Sequence, residues 1–272
     1  MSGPEARDFS RSTFTHGGKT RDVYRKGTGP AVVVISEMPG ISPKVLDFAD
    51  RVAAIGCTAV VPHLFGEPGR DPNVGSPLAK AGYGLSSIVP ACISREFATW
   101  ATNKTSPVIV WLRALAAQEH ETCGGPGVGA VGMCFTGGFA LAMAVEPAVL
   151  APVLSQPGMP MPVSPRLRAA VGLDPGDLAV VKERTRDGLC VLGLRFTADK
   201  GSPADRFETL RRELGEAFEG IEINSSPGNP DGIPARAHAV LTLEFVDQEG
   251  HPTRAALDRV MAFLAQQLGP VP

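Results

Sequence analysis

The sequence predicts an α/β fold: one mostly parallel central sheet with helices on both faces. Three observations carry this. Residues 31–36, 58–62, 128–133, 149–155 and 189–196 are short apolar runs, mostly β-branched and without polar alternation, the pattern of strands buried on both faces. Segments with apolar residues at helical spacing lie between them. Strand and helix alternate along the 272 residues with no internal repeat and no linker that would separate two domains.

Taken in order, residues 12–26 read as two short polar strands joined at His16-Gly17-Gly18, and with the rest of residues 1–30 they form an N-terminal arm. Residues 43–55 form a helix on Val45, Phe48, Val52 and Ile55, stopped by Gly56. Residues 66–105 break the rhythm with repeated Pro and Gly, as a lid-like excursion does. The alternation then resumes with a helix over 106–121, where Pro107 occupies the first turn. A helix over 137–145 and a mixed, partly helical stretch over 164–187 follow. Phe207, Leu210 and Leu214 place a helix over 204–218, and 221–224 reads as a short strand. Residues 240–246 read as a further extended run, and 254–268 as a closing amphipathic helix.

Composition narrows the class. Hydrophobic residues are 43% and charged residues 20% of the chain, enough apolar material for a sizeable core. The net charge of −2 gives no electrostatic reason for nucleic acid or an anionic membrane as partner. Five cysteines, Cys57, Cys92, Cys123, Cys134 and Cys190, are widely spaced and form no C-x-x-C, which argues against a disulfide framework or a zinc cage and for a reducing compartment. The first residues lack the apolar core of a signal peptide, and the longest apolar stretch, 130–145, is shorter than the ~20 residues of a membrane span. The expected location is the cytoplasm.

The most informative segment is Val128-Gly-Ala-Val-Gly-Met-Cys134-Phe-Thr-Gly-Gly138. An apolar strand enters Gly-x-Cys and leaves through small residues into a helix, the setting of a nucleophile held on a sharp strand-to-helix turn. Gly132 stands where a side chain would crowd that turn. With the helix starting at the cysteine, its N-terminal partial charge favours a thiolate and a developing oxyanion. Thr136 occupies the position two beyond the cysteine, where a smaller residue is usual. No G-x-S-x-G offers a competing serine, and no G-x-G-x-x-G or G-K-[ST] supports a phosphate loop. A buried, inert cysteine in a glycine-rich turn is the competing structural reading.

With its surroundings added, the chain resembles the dienelactone hydrolase family. The likeness rests on Ser36-Glu37-Met38-Pro39-Gly40 after a buried strand, on Val60-Val61-Pro62-His63-Leu64-Phe65, on Gly132-Met133-Cys134-Phe135-Thr136-Gly137-Gly138, and on a later acid and histidine in chain order. It implies a single α/β-hydrolase domain and a Cys-His-Asp triad. Asp199, after a strand and before the helix entered at Ser202-Pro203, matches the family's acid, whereas Asp187 precedes the same strand at the wrong end. His238, followed by Ala239 and Val240, matches the family's histidine. His251 is the rival if residues 240–246 are the last core strand. The resemblance also assigns Glu37 to proton handling at the thiol and the backbone N–H groups of Met38 and Phe135 to an oxyanion hole.

Typical members bind a substrate carboxylate with two arginines. Arg95 matches the first. Thr242 falls where the second would be, with Arg236 and Arg195 as conceivable substitutes. The expected activity is hydrolysis of a carboxylic ester or lactone, without metal or organic cofactor, by a monomer or homodimer. A thioesterase or a lactone-processing biosynthetic enzyme on the same scaffold is the alternative, as is a non-catalytic protein in which Cys134 senses redox state or ligand.

Overall fold

The computed structural model describes residues 3–76, 82, 83, 86, 105–158 and 164–269. Among the described residues, eight strands form one sheet in the order β1-β2-β4-β3-β5-β6-β7-β8. They are β1 Ser10–His16, β2 Lys19–Lys26, β3 Ala31–Ile35, β4 Thr58–Pro62, β5 Val128–Met133, β6 Val149–Ser155, β7 Val191–Phe196 and β8 Phe218–Ile223. β2 pairs antiparallel with β1 and β4, and β3 to β8 run parallel.

The continuous apolar runs are explained by burial on two faces. In β3, Ala31, Val33 and Ile35 enter one core while Val32 and Val34 enter the other. On the first face pack α2 (Pro107–Cys123), α3 (Gly137–Met143), α5 (Pro175–Arg186) and α6 (Ala204–Leu214), with the short α4 (Pro165–Ala169) against α6. On the second pack α1 (Pro43–Ala54) and α7 (Pro252–Leu268). Ser42 caps α1, its side chain accepting from Val45 N, with Pro43 in the first turn.

Four expectations are corrected. The helix after Cys134 does not start at the cysteine as an α-helix: Cys134–Thr136 is a 3₁₀ turn, and α3 begins at Gly137. The helix expected to reach residue 218 ends at Leu214, because Gly215 takes the left-handed conformation, φ 59°. Phe218 therefore opens β8, which is longer than the short strand expected. Residues 240–246 are not extended. They fold back as a turn, with Glu244 N donating to Ala239 O at 3.1 Å and Phe245 N to Thr242 O at 3.3 Å. The mixed stretch resolves into α4 and α5. Of the 66–105 excursion, only 66–76, 82, 83, 86 and 105 are among the described residues, so its lid-like character lies outside them.

Candidate active site

Because β3, β5, β6 and β7 are parallel, the loops that leave Ile35, Met133, Ser155 and Phe196 emerge at one edge of the sheet. Register then sets the neighbours. Ile35 lies beside Gly132 and Met133 beside Ser155, so Glu37, Cys134 and Gln156 follow adjacent strand ends.

Cys134 is a non-glycine residue with φ 54°. That left-handed conformation costs about 1–2 kcal/mol for an L-residue, and the surroundings enforce it. A Cβ at Gly132 would lie 2.1 Å from Thr136 O, and one at Gly137 would lie 2.6 Å from Pro157 Cα. Thr136 does more than fit. Its hydroxyl accepts from Met133 N at 2.9 Å and lies 3.0 Å from Ile35 O and 2.9 Å from Met133 O, so its one proton can serve either carbonyl. The hydroxyl thereby fastens the turn to the end of β3. Phe135 packs edge-on against Phe65 and Phe139.

Asp199 is buried in the loop after β7. That loop is held to the end of β8 by Thr197 N to Ile223 O, 2.9 Å, and Ala198 N to Ser225 Oγ, 3.0 Å. One carboxylate oxygen accepts from Gly201 N at 2.8 Å, and the other lies 2.7 Å from His238 Nδ1. Burial pulls the His238 imidazole down. Hydrogen bonds to Asp199 and Cys134, with the charges on both, overcome that and push it up to about 11. His238 and Asp199 thus form a hydrogen-bonded pair, and the charge of Cys134 acts on the same imidazole.

Glu37 stands beside it. Its carboxylate accepts from Gln156 Nε2 at 3.2 Å and from Thr242 Oγ1, rather than from the thiol. Burial raises its carboxyl above the usual range, against the pull of the Thr242 hydrogen bond and the nearby His238 charge. Gln156, fully buried with φ 35°, is itself pinned: its side-chain oxygen accepts from Ser155 Oγ and from Val240 N at 3.2 Å. A cleft of about 270 Å³ opens in front of these groups, lined by Glu37, Met38, His238, Ala239, Leu243 and Glu244 among others.

His251 is elsewhere. It caps α7, its Nδ1 accepting from Thr253 N at 3.3 Å. Arg195 is buried and bound to Glu222, Ser202 O and Thr197 O, which makes it a brace for the Asp199 loop; Arg236 is exposed. Arg95 lies outside the described residues. Sequence reasoning missed Gln156 and gave Thr242 only as a missing arginine. The signal for Gln156 was a polar residue directly after a buried strand, at the edge that carries Cys134. Among the described residues, no group of three or more His, Cys, Asp or Glu side chains is placed to hold a metal. No helix among them is long and apolar enough to cross a membrane.

Sheet order, elbow and loop positions define an α/β-hydrolase fold. The sequence profile of the dienelactone hydrolase family matches residues 20–229, and the chain belongs to that family of hydrolases acting on ester bonds. Among solved structures it is similar to a Klebsiella pneumoniae protein assigned as a dienelactone hydrolase (19% identity, 95% of this chain and 98% of that one, TM-score 0.61). It is also similar to the dienelactone hydrolase-like promiscuous phosphotriesterase P91 from metagenomic libraries (18%, 96% and 98%, 0.57). A third is a cold-adapted esterase from an Arctic intertidal metagenomic library (15%, 96% and 94%, 0.55). At these identities the likeness is one of fold. No curated protein matches the chain.

Proposed function

We propose that the chain hydrolyses a carboxylic ester or lactone by acyl transfer through Cys134. The observation that carries this reading is the pairing of a left-handed Cys134 on its elbow with a His238–Asp199 couple at 2.7 Å.

The Cys134 thiolate attacks the carbonyl carbon, and the electron pair of the C=O bond moves to oxygen. The backbone N–H groups of Met38 and Phe135 receive that oxyanion. Collapse of the intermediate breaks the bond to the leaving oxygen, which takes its proton from the His238 imidazolium and leaves a thioester on Cys134. His238, now neutral, takes a proton from water as that water attacks the thioester. The acid departs, and thiolate and imidazolium are restored. Asp199 holds the tautomer of His238 and stabilises its charged form. Glu37, held by Gln156 and Thr242 beside His238, supports the imidazolium while it carries the proton. For a lactone the leaving oxygen stays tethered, and the product is one hydroxy acid.

Arg95 is the group we assign to a substrate carboxylate. Thr242 carries no charge and is engaged with Glu37, so it contributes nothing to carboxylate binding and the requirement for one is relaxed. The test uses 4-nitrophenyl butyrate and 4-nitrophenyl hemisuccinate, with intact-protein mass spectrometry of the quenched reaction. Turnover of at least one ester, an acyl adduct on Cys134, and loss of both in Cys134→Ala are expected. Turnover that survives Cys134→Ala would remove the thiol from the reaction.

A further inference from the structure

Two buried arginines lie near the site, and they differ in one respect. Arg195 and Arg206 are each 2% exposed. Arg195 is neutralised by Glu222. Among the described residues, Arg206, on α6, donates only to backbone carbonyls: Ala170 O at 2.6 Å, Leu167 O at 3.2 Å, Gly201 O at 3.5 Å, and Pro157 O. Removing a guanidinium from water is expensive, and carbonyl dipoles compensate for the lost solvation without cancelling the charge. A fixed positive charge therefore persists inside the protein.

Its contacts reach the reacting groups in one further step on two sides. Pro157 precedes Gly158, whose N–H donates to Cys134 O at 2.8 Å. Gly158 also packs on the thiol, since a Cβ there would lie 3.6 Å from Cys134 Sγ. Gly201 donates its N–H to Asp199 at 2.8 Å. The segment under the thiol and the loop of the acid thus share one guanidinium.

We propose that Arg206 is a positioning residue for the Cys134–His238–Asp199 set: it ties the segment beneath the thiol to the loop of the acid, and its uncancelled charge favours the thiolate. The proposal deepens the acyl-transfer reading of the site and rests on it. The charges that act on the guanidinium are those of Asp199 and Cys134 from the site and of Asp205 from its own helix, and His238 is bound to Asp199. Burial pulls Arg206 down to about 10, while Asp199, Asp205 and Cys134 hold it up, so it stays charged at neutral pH. Asp205 is itself taken by Arg168 of α4 at 2.7 Å, leaving the site-side anions to feel Arg206.

The experiment measures the rate of Cys134 alkylation by iodoacetamide from pH 5 to 10, mapped by mass spectrometry, in wild type, Arg206→Lys, Arg206→Met and Arg206→Gln. Each variant is also melted. Removing the charge is expected to move the alkylation profile about one pH unit upward, seen as a rate about tenfold lower at pH 6 in Arg206→Met. Arg206→Lys should recover most of that difference. Arg206→Gln, which still donates to carbonyls without charge, should behave as Met does, and it serves as the reading if the Met variant does not fold. A Met or Gln variant that melts earlier but whose profile superimposes on wild type would overturn the proposal and leave a packing clamp. So would a Lys variant displaced as far as Met. Alkylation needs no ester turnover: a wild-type protein alkylated at Cys134 but inert to every ester would count against the proposed hydrolysis and not against this role.

Discussion

His238 Nδ1 lies 2.7 Å from Asp199 Oδ2, and the two residues are 39 positions apart. The contact holds the imidazole by Nδ1 against a buried carboxylate, whereas His251 caps a helix, and this is why the proposed acyl transfer is assigned to His238. His238→Ala is expected to lower kcat on a 4-nitrophenyl ester by about 10²–10⁴-fold, the usual range for losing a general acid–base group. His251→Ala should leave kcat within a few-fold and lower stability by about 1 kcal/mol, because it removes a helix cap. Steady-state assays and thermal melts of both variants check this. Loss of activity confined to the His251 variant would reverse the assignment.

Among the cysteines, burial raises Cys57 and Cys123 above the ordinary thiol range, while Cys134 has an imidazolium as neighbour. Brief treatment with substoichiometric iodoacetamide at pH 7 is expected to label Cys134 first. Peptide mapping that found Cys57 or Cys123 labelled ahead of it would contradict the site electrostatics.

A histidine raised from 6.5 to about 11 on folding ties stability to pH. The folded state binds this proton more tightly, so the contribution is fully present below pH 6.5 and is lost as pH rises through about 11. Unfolding free energy should therefore fall between pH 7 and 10. Asp199→Asn should flatten that fall by removing the partner that holds the proton. Urea titrations of the two proteins at pH 6, 8 and 10 measure it, and parallel curves would contradict the coupling.

The Thr136 hydroxyl closes the elbow onto β3, and Met133 N donates to it at 2.9 Å. Thr136→Val keeps the shape and leaves that buried N–H without its acceptor. We expect a loss of about 1–3 kcal/mol in stability, with lower kcat because Cys134 is less firmly held. Thr136→Ser, which keeps the hydroxyl, should restore both. Denaturant melts with ester assays test it, and a Val variant equal to wild type in both would show that the turn does not depend on the hydroxyl.

The sequence by itself determined the local features. Continuous apolar runs marked β3 to β7 because a strand buried on both faces admits no polar alternation, and Gly-x-Cys after β5 marked the elbow because only a residue without a side chain fits at Gly132. Tertiary structure decided everything that depends on which strand ends become neighbours. Residues 240–246 were misread as extended because an apolar, β-branched run is as well buried in a turn against Gln156 and Glu37 as in a strand. Thr242 meets Glu37 across 205 residues and Gln156 meets it across 119. Nothing in the sequence sets Arg206 apart from the other arginines of its helix, and in the fold it is a buried charge. A hydrogen bond or a buried charge is set by distance and exclusion of water, and both exist only once the parallel sheet has brought its loops to one edge.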